Sequence, residues 1–116
     1  MKIETSELTG AALDWAVAES EGNVRLQYDS REGLIICNIL GWIPYRPSVA
    51  WAQGGPIIER EGITLRSCID GAAWDAELAY EETILASGPT PLIAAMRCFV
   101  ASRLGDEVDI PEELLP

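Results

Sequence analysis

Two rhythms of apolar and polar positions alternate along this chain, and each change of rhythm marks an element. From Thr9 to Gly22 the spacing is helical: Leu13, Ala16, Val17 and Ser20 share one face, Trp15 points elsewhere, and Asp14 and Glu21 are expected to face water. Thr9 is an N-cap residue, Leu8 and Leu13 stand at the two positions of a hydrophobic staple, and Gly22 is placed to end the helix in a left-handed conformation. Val24 to Tyr28 then alternates with period two, Asp29 to Gly33 supplies turn chemistry, and Leu34 to Leu40 reads as a second, more buried strand of a hairpin. Ile63 to Arg66 predicts a third strand, extending towards Ile69, with a shorter piece at Ile57 to Glu59 pairing with it across Glu61 and Gly62.

The second half predicts two helices. Ala72 to Glu82 is rich in alanine and glutamate and places Trp74, Leu78 and Leu85 on one stripe, with an acidic outer face. Ser87-Gly88-Pro89 breaks it. Thr90 caps a last helix with Pro91 at its first position, where the missing N–H costs nothing. Leu92, Met96, Phe99, Val100 and Leu104 form its apolar face, and Gly105 closes it. Asp106 to Pro116 reads as an acidic tail whose Val108, Ile110 and Leu114 tuck against the body. The expectation is one α+β domain over residues 1–116: an antiparallel sheet of three to four strands with helices packed on it, in the order helix, strands, helix, helix. Leu13, Val17, Leu34, Ile36, Leu65, Met96, Phe99 and Val100 form the expected core.

Composition narrows the chemistry. At 116 residues the chain matches one core, and 48% apolar with 23% charged residues is a globular mixture. The apolar run Leu34 to Cys37 is far short of the roughly 20 residues a membrane span requires. Met1 to Gly10 carries Glu4 and Glu7 and has neither a basic n-region nor an apolar h-region, so no secretory signal is expected. Cys37, Cys68 and Cys98 are widely spaced, and the chain has no histidine, so neither a metal site nor a disulfide framework is expected. The net charge of -11 is uneven: residues 1–58 hold four basic and seven acidic side chains, residues 59–116 four basic and twelve acidic. Such a surface repels phosphates, which argues against direct nucleic-acid binding and for a basic protein partner. Homo-oligomerisation is left open by the sequence.

Catalytic chemistry finds little support. Without histidine, Ser-His-Asp and Cys-His arrangements are excluded within the chain. The lone lysine is Lys2, and the carboxylate pairs Glu77/Glu81 and Asp75/Glu82 read as a solvated helix face rather than a reactive pair. Gly54-Gly55-Pro56 lacks the Lys-Ser that a phosphate loop needs. The expectation is a protein that is not an enzyme and takes no cofactor. Binding chemistry concentrates instead in Gly41 to Pro56, long for a connection, where Trp42, Tyr45, Arg46, Trp51, Gln53, Gly54 and Gly55 combine aromatic area, a planar cation and tight turns. Two readings stay open: these residues form a binding surface, or the tryptophans plug one end of the core.

Three blocks carry a resemblance. Glu7 to Ala18 (ELTGAALDWAVA), Trp51 to Arg60 (WAQGGPIIER), and Gly88 to Arg97 (GPTPLIAAMR) followed by Gly105-Asp106-Glu107-Val108 resemble the NinX proteins of lambdoid and related phages. Asn23 to Trp42 and Cys68 to Ser87 depart from that pattern. The resemblance implies a phage or prophage accessory protein, cytoplasmic in the bacterial host cell, of a family without an assigned biochemical activity. Two functional expectations follow: a non-enzymatic module that binds a host or phage protein through the aromatic loop, or an acidic inhibitor presenting Asp75, Glu77, Glu81, Glu82, Asp106, Glu107, Asp109, Glu112 and Glu113 as a nucleic-acid mimic to a basic host protein.

Overall fold

The computed structural model describes residues 1–22, 25–29, 31, 33–38, 41–68 and 70–115, with the backbone alone at 33–38, 41 and 42. Helix α1 runs Gly10–Glu21, with Thr9 extended before it and Gly22 after it at φ 79°, its N–H on the Ala18 carbonyl. Leu8, Leu13, Ala16 and Val17 are buried, as the staple and the helical spacing require. Trp15 faces Leu26, Tyr28 and the Pro111–Leu114 segment. Two polar residues of α1 overturn their expected place in water. Asp14 is only 4% exposed, and Glu21 is held by Arg60 at 2.7 Å.

The hairpin expected after α1 is present as β2 (Arg25–Asp29) and β3 (Gly33–Asn38), and β4 (Gly41–Pro44) adds a third antiparallel strand. The side chains of Leu34 and Ile36 and the thiol of Cys37 lie outside the described residues. Helix α2 (Trp51–Glu61) follows, then a second antiparallel meander of β5 (Thr64–Ser67), β6 (Trp74–Ala79) and β7 (Thr83–Gly88). Helix α3 spans Pro91–Leu104. The ends of the chain meet in a two-stranded ribbon, β1 (Lys2–Glu4) with β8 (Glu107–Asp109), and 3-10 turns at Thr5–Glu7 and Glu112–Leu114 flank it. The fold is α+β with antiparallel sheets. Its strands are divided among a ribbon and two meanders rather than gathered into one sheet.

Three local expectations are corrected. Ala72 to Glu82 is not helical; it is β6 and the turn into β7. Trp74, Ala76 and Leu78 turn towards the core while Asp75 and Ala79 are exposed, and Ile84, Ala86 and Gly88 continue the inward row on β7. That period of two overrides the helix propensity of alanine and glutamate, because packing against α3 decides the outcome. Leu85, expected on the stripe, therefore faces solvent at 66% exposure. Ile57 to Glu59 is not a strand but part of α2, and Gly41 to Pro56 is not an irregular loop but β4, a turn and the first half of α2.

Helix α3 is the shared partner of the fold, packing against β5, β6, β7, α1 and α2, while α1 meets β2 and β3. Thr90 Oγ1 accepts from the Ile93 N–H, capping it as expected. Ala94 to Val100 are all buried, so α3 is covered on nearly every side, although Leu104 at its end is exposed. Gly88 is required for this closeness: a Cβ there would stand 2.9 Å from the Ala94 nitrogen. Leu13, Val17, Met96, Phe99 and Val100 are fully buried and Leu65 packs partly buried against them. Val108, Ile110 and Leu114 are buried too, so the acidic tail is docked rather than free.

Candidate functional site

The residues singled out between Gly41 and Pro56 form a braced corner between β4 and α2. Two bonds brace it from within, because the Gln53 side-chain amide donates to the Pro44 carbonyl at 2.6 Å and its oxygen accepts the Arg46 N–H. Val49 and Ala50 both return their N–H groups to the Arg46 carbonyl. A third tie comes from α1. The buried Asp14 carboxylate accepts the Ser48 N–H at 2.9 Å, pinning the turn to the core. Burial pushes the Asp14 pKa up to about 6, partly offset by Ser48 and by the Arg46 charge. The Ser48 hydroxyl is itself buried beside this carboxylate, without a hydrogen bond of ordinary geometry.

The corner sorts its residues into two groups. Tyr45 and Gly54 are buried, as a plug would be. The Tyr45 hydroxyl is pushed above its usual range by burial and by the charges of Glu21 and Asp14. A Cβ on Gly54 would meet the Pro47 carbonyl oxygen at 2.5 Å and Leu92 Cδ2 at 2.6 Å, so glycine lets α2 lie directly on the turn and on α3. Arg46, Val49 and Trp51 face outward, Val49 at 65% and Trp51 at 55% exposure. Gly55 lies near the Trp51 ring edge. Trp51 and Val49 border a hollow of about 200 Å³ whose other wall is Thr90, Pro91 and Leu92 at the start of α3. Trp42 sits on β4 opposite Cys37 in register, and its side chain lies outside the described residues.

Sequence reasoning missed Asp14 and Ser48. A signal existed for the first: Asp14 is the single charged residue between Ala11 and Ala18, and a lone carboxylate in so apolar a stretch has little water to face.

The far end of α2 is built differently. Glu61 accepts hydrogen bonds from Arg60 Nε, Arg103 Nη2 and the Tyr80 hydroxyl, at 2.9, 2.9 and 2.7 Å. Burial pushes its pKa up, but the three donors outweigh burial and hold it at about 2. Both guanidinium groups also lie over the Phe99 ring, 5.7 and 5.3 Å from its centroid.

The carboxylates expected to act as a mimic from an acidic helix and tail are dispersed. Asp75 and Glu77 lie on β6, Glu81 and Glu82 at the hairpin turn, and the others along the docked C-terminal segment. Glu77 pairs with Arg66, and Asp109 with the N-terminal amine. Among the described residues no three Cys, Asp or Glu side chains converge as a metal-holding group, and no helix is long and apolar enough to cross a membrane.

The three blocks of resemblance now have places in the fold: α1, the corner with α2, and the capped start of α3. Residues 4–103 match the family model described as Bacteriophage P22, NinX. The chain belongs to the NinX family. Both the braced corner and the Glu61 cluster fall inside the matched span, whereas the quoted Gly105 to Val108 lies beyond it. As a NinX protein the chain is a phage protein. A search of curated proteins returns no match.

Proposed function

We propose that this NinX protein is a non-enzymatic accessory protein that binds a host or phage protein through the corner presenting Trp51, with Val49 and Arg46 beside it. The observation that carries the reading is an indole 55% exposed beside a turn whose backbone is held by Gln53 and Asp14. The backbone beneath it is already ordered, so little main-chain ordering is left to oppose binding. Trp and Arg are also the residue types in which interface energy concentrates. In this reading Trp51 enters an apolar recess on the partner and Arg46 lies at its rim. Tyr45, Gln53, Gly54 and Gly55 position them, and Trp42 belongs to the strand that leads into the corner. The mimicry alternative keeps its charge but has lost the helix that would have spaced its carboxylates.

The test is affinity capture of the tagged protein from phage-infected cells, followed by titration of the recovered partner against parent and Trp51→Ala. The substitution should weaken binding by about 2 kcal/mol or more, the size of an interface hot spot. Equal binding by the two would remove the corner from the function. Loss of binding on neutralising the C-terminal carboxylates instead would favour mimicry.

A further inference from the structure

Strand β7 lies at the edge of its meander, and its free side opens into a groove that no other strand fills among the described residues. At the turn the Tyr80 N–H bonds the Glu82 carbonyl, so the pairs in step with it, Leu78 with Ile84 and Ala76 with Ala86, exchange the ladder bonds. Thr83, Leu85 and Ser87 then direct their N–H and C=O groups away from β6. The Ser87 carbonyl confirms the parity, because it accepts from Arg97 Nη1 of α3 rather than from the ladder. No backbone group of the described residues bonds to Thr83 or Leu85 from the free side.

Natural edge strands are commonly blunted by a charge, a proline or a bulge. Thr83 to Gly88 contains neither charge nor proline, and Leu85 at its centre is 66% exposed. The groove beside it, about 330 Å³, has Arg97 and Ala101 of α3 on its floor and the Thr5–Glu7 turn and the β1–β8 ribbon as its far wall. That wall is acidic. Glu4 and Glu107 are direct cross-strand partners, an arrangement of like charges that destabilises a ribbon, and Asp106 precedes them. Arg97 on the floor donates to the Leu8 and Ser87 carbonyls, and among the described residues no ion pair joins it to these carboxylates. A guest cation between β7 and the ribbon would therefore meet three carboxylates against one guanidinium.

We infer that the free edge of β7 takes an extended, basic peptide segment of a partner as an added strand over Thr83 to Leu85, with its lysine or arginine side chains on Glu4, Asp106 and Glu107. The main chain supplies the bonds of strand addition, and the carboxylates select the charge of the guest. A second copy of this chain is a poor occupant, because each copy carries a net charge of -11 and brings the same carboxylates to the edge. The groove is formed by other residues than the Trp51 corner, and the inference does not depend on it.

The experiment titrates the full-length protein against a fluorescein-labelled Lys-Val-Lys-Val-Lys-Val peptide by anisotropy. Three controls accompany it: the Glu-Val counterpart, the Lys-Val peptide N-methylated at alternate backbone nitrogens, and the triple variant Glu4→Gln, Asp106→Asn, Glu107→Gln. The Lys-Val peptide should bind with an affinity that falls as salt rises. N-methylation, which keeps every charge, should weaken it at least tenfold, as should the triple substitution and the change to Glu-Val. Leu85→Pro, which removes one outward N–H and leaves the β6 ladder intact, should do the same in protein whose melting shows it folded. Equal binding of the N-methylated peptide would reduce the interaction to charge alone and overturn strand addition. Equal binding of the Glu-Val peptide would overturn the choice of guest. A dimer in sedimentation that Leu85→Pro abolishes would assign the edge to a second copy and overturn the inference as stated.

Discussion

The two ends of α2 solve opposite problems with the same few residue types. At its C-terminal end Arg60 and Glu61 are spent inward, on Glu21, Arg103, Tyr80 and the face of Phe99, so charge and aromatic ring satisfy each other. At its N-terminal end Trp51 faces water, while the side chains of Gln53 and Asp14 hold the backbone of the turn at Pro44, Arg46 and Ser48. The clustered end explains itself as structure. The open end leaves Trp51 and Val49 exposed beside a turn held by other groups, and the proposed function rests on that exposure.

The largest effect should come from Phe99, which supports the clustered end. Phe99→Ala removes a fully buried ring and the surface on which two guanidinium groups lie, and should destabilise by about 3–5 kcal/mol in chemical denaturation. A variant that unfolds at the parent's midpoint would mean that the cluster does not rest on that ring.

Next in size is the pH dependence, where the two ends carry opposite signs. Glu61 titrates at about 2, below its ordinary 4.5, so its stabilisation is present above about pH 4.5 and lost as pH falls towards 2. Asp14 titrates at about 6, above its ordinary 3.8, so the folded state holds its proton more tightly than the unfolded chain. The stability this adds is fully present below about pH 4 and lost as pH rises through 6, a difference of about 3 kcal/mol at most. Stability should therefore peak between about pH 4 and 5. Asp14→Asn keeps an acceptor for the Ser48 N–H without a charge. It should flatten the decline between pH 4 and 6 and raise the melting temperature at pH 7. An unchanged profile would show that Asp14 is solvated.

Gly54→Ala tests the brace itself. Its Cβ would stand too close to the Pro47 carbonyl and to Leu92, and the backbone cannot yield as a long side chain can. A loss of about 1–3 kcal/mol is expected, the range of overpacking in a close-packed site. If Gly54→Ala also weakens the partner while Glu61→Gln does not, positioning of Trp51 resides in the brace and not in the distant cluster.

What was legible in the sequence follows the same division. The two helices with explicit end signals, α1 between Thr9 and Gly22 and α3 between Thr90 and Gly105, begin and end at those residues. At Thr90 a side-chain cap fixes the start, whereas Thr9 makes no capping bond and α1 is set by the buried Leu8 and Leu13 and by Gly22 at positive φ. The β6–β7 hairpin was hidden because its alanines fall on both faces, Ala76 and Ala86 inward and Ala79 outward, and Leu85 faces outward too, so the apolar contrast is too weak to show period two against a strong helix propensity. Helix α2 was hidden by Gly54, Gly55 and Pro56, which read as turn residues. There Gly54 is required by close packing on Pro47, a contact invisible in one dimension. At the corner, the residue types were legible in Trp51, Arg46 and Gln53, but which of them face water depends on Asp14, 34 positions from the Ser48 it holds.

The smallest expected effect on stability is the most informative about function. Trp51→Ala removes a side chain that is more than half exposed and whose neighbours, Val49 and Gly55, belong to a frame tied by other groups. Its cost to folding should stay below about 1 kcal/mol, in the range of surface substitutions. If Trp51 serves the proposed interaction, its loss should show in partner affinity rather than in stability. Partner binding that depends on it should show only a modest salt slope, since an indole entering an apolar recess is not screened, whereas a partner held by the C-terminal carboxylates would be released steeply as salt rises. Measuring the melting curve of Trp51→Ala beside its partner affinity at two salt concentrations separates the cases. A large loss of stability would return Trp51 to the fold as a plug. A normal melt with a lost, salt-insensitive interaction would assign the open end of α2 to binding.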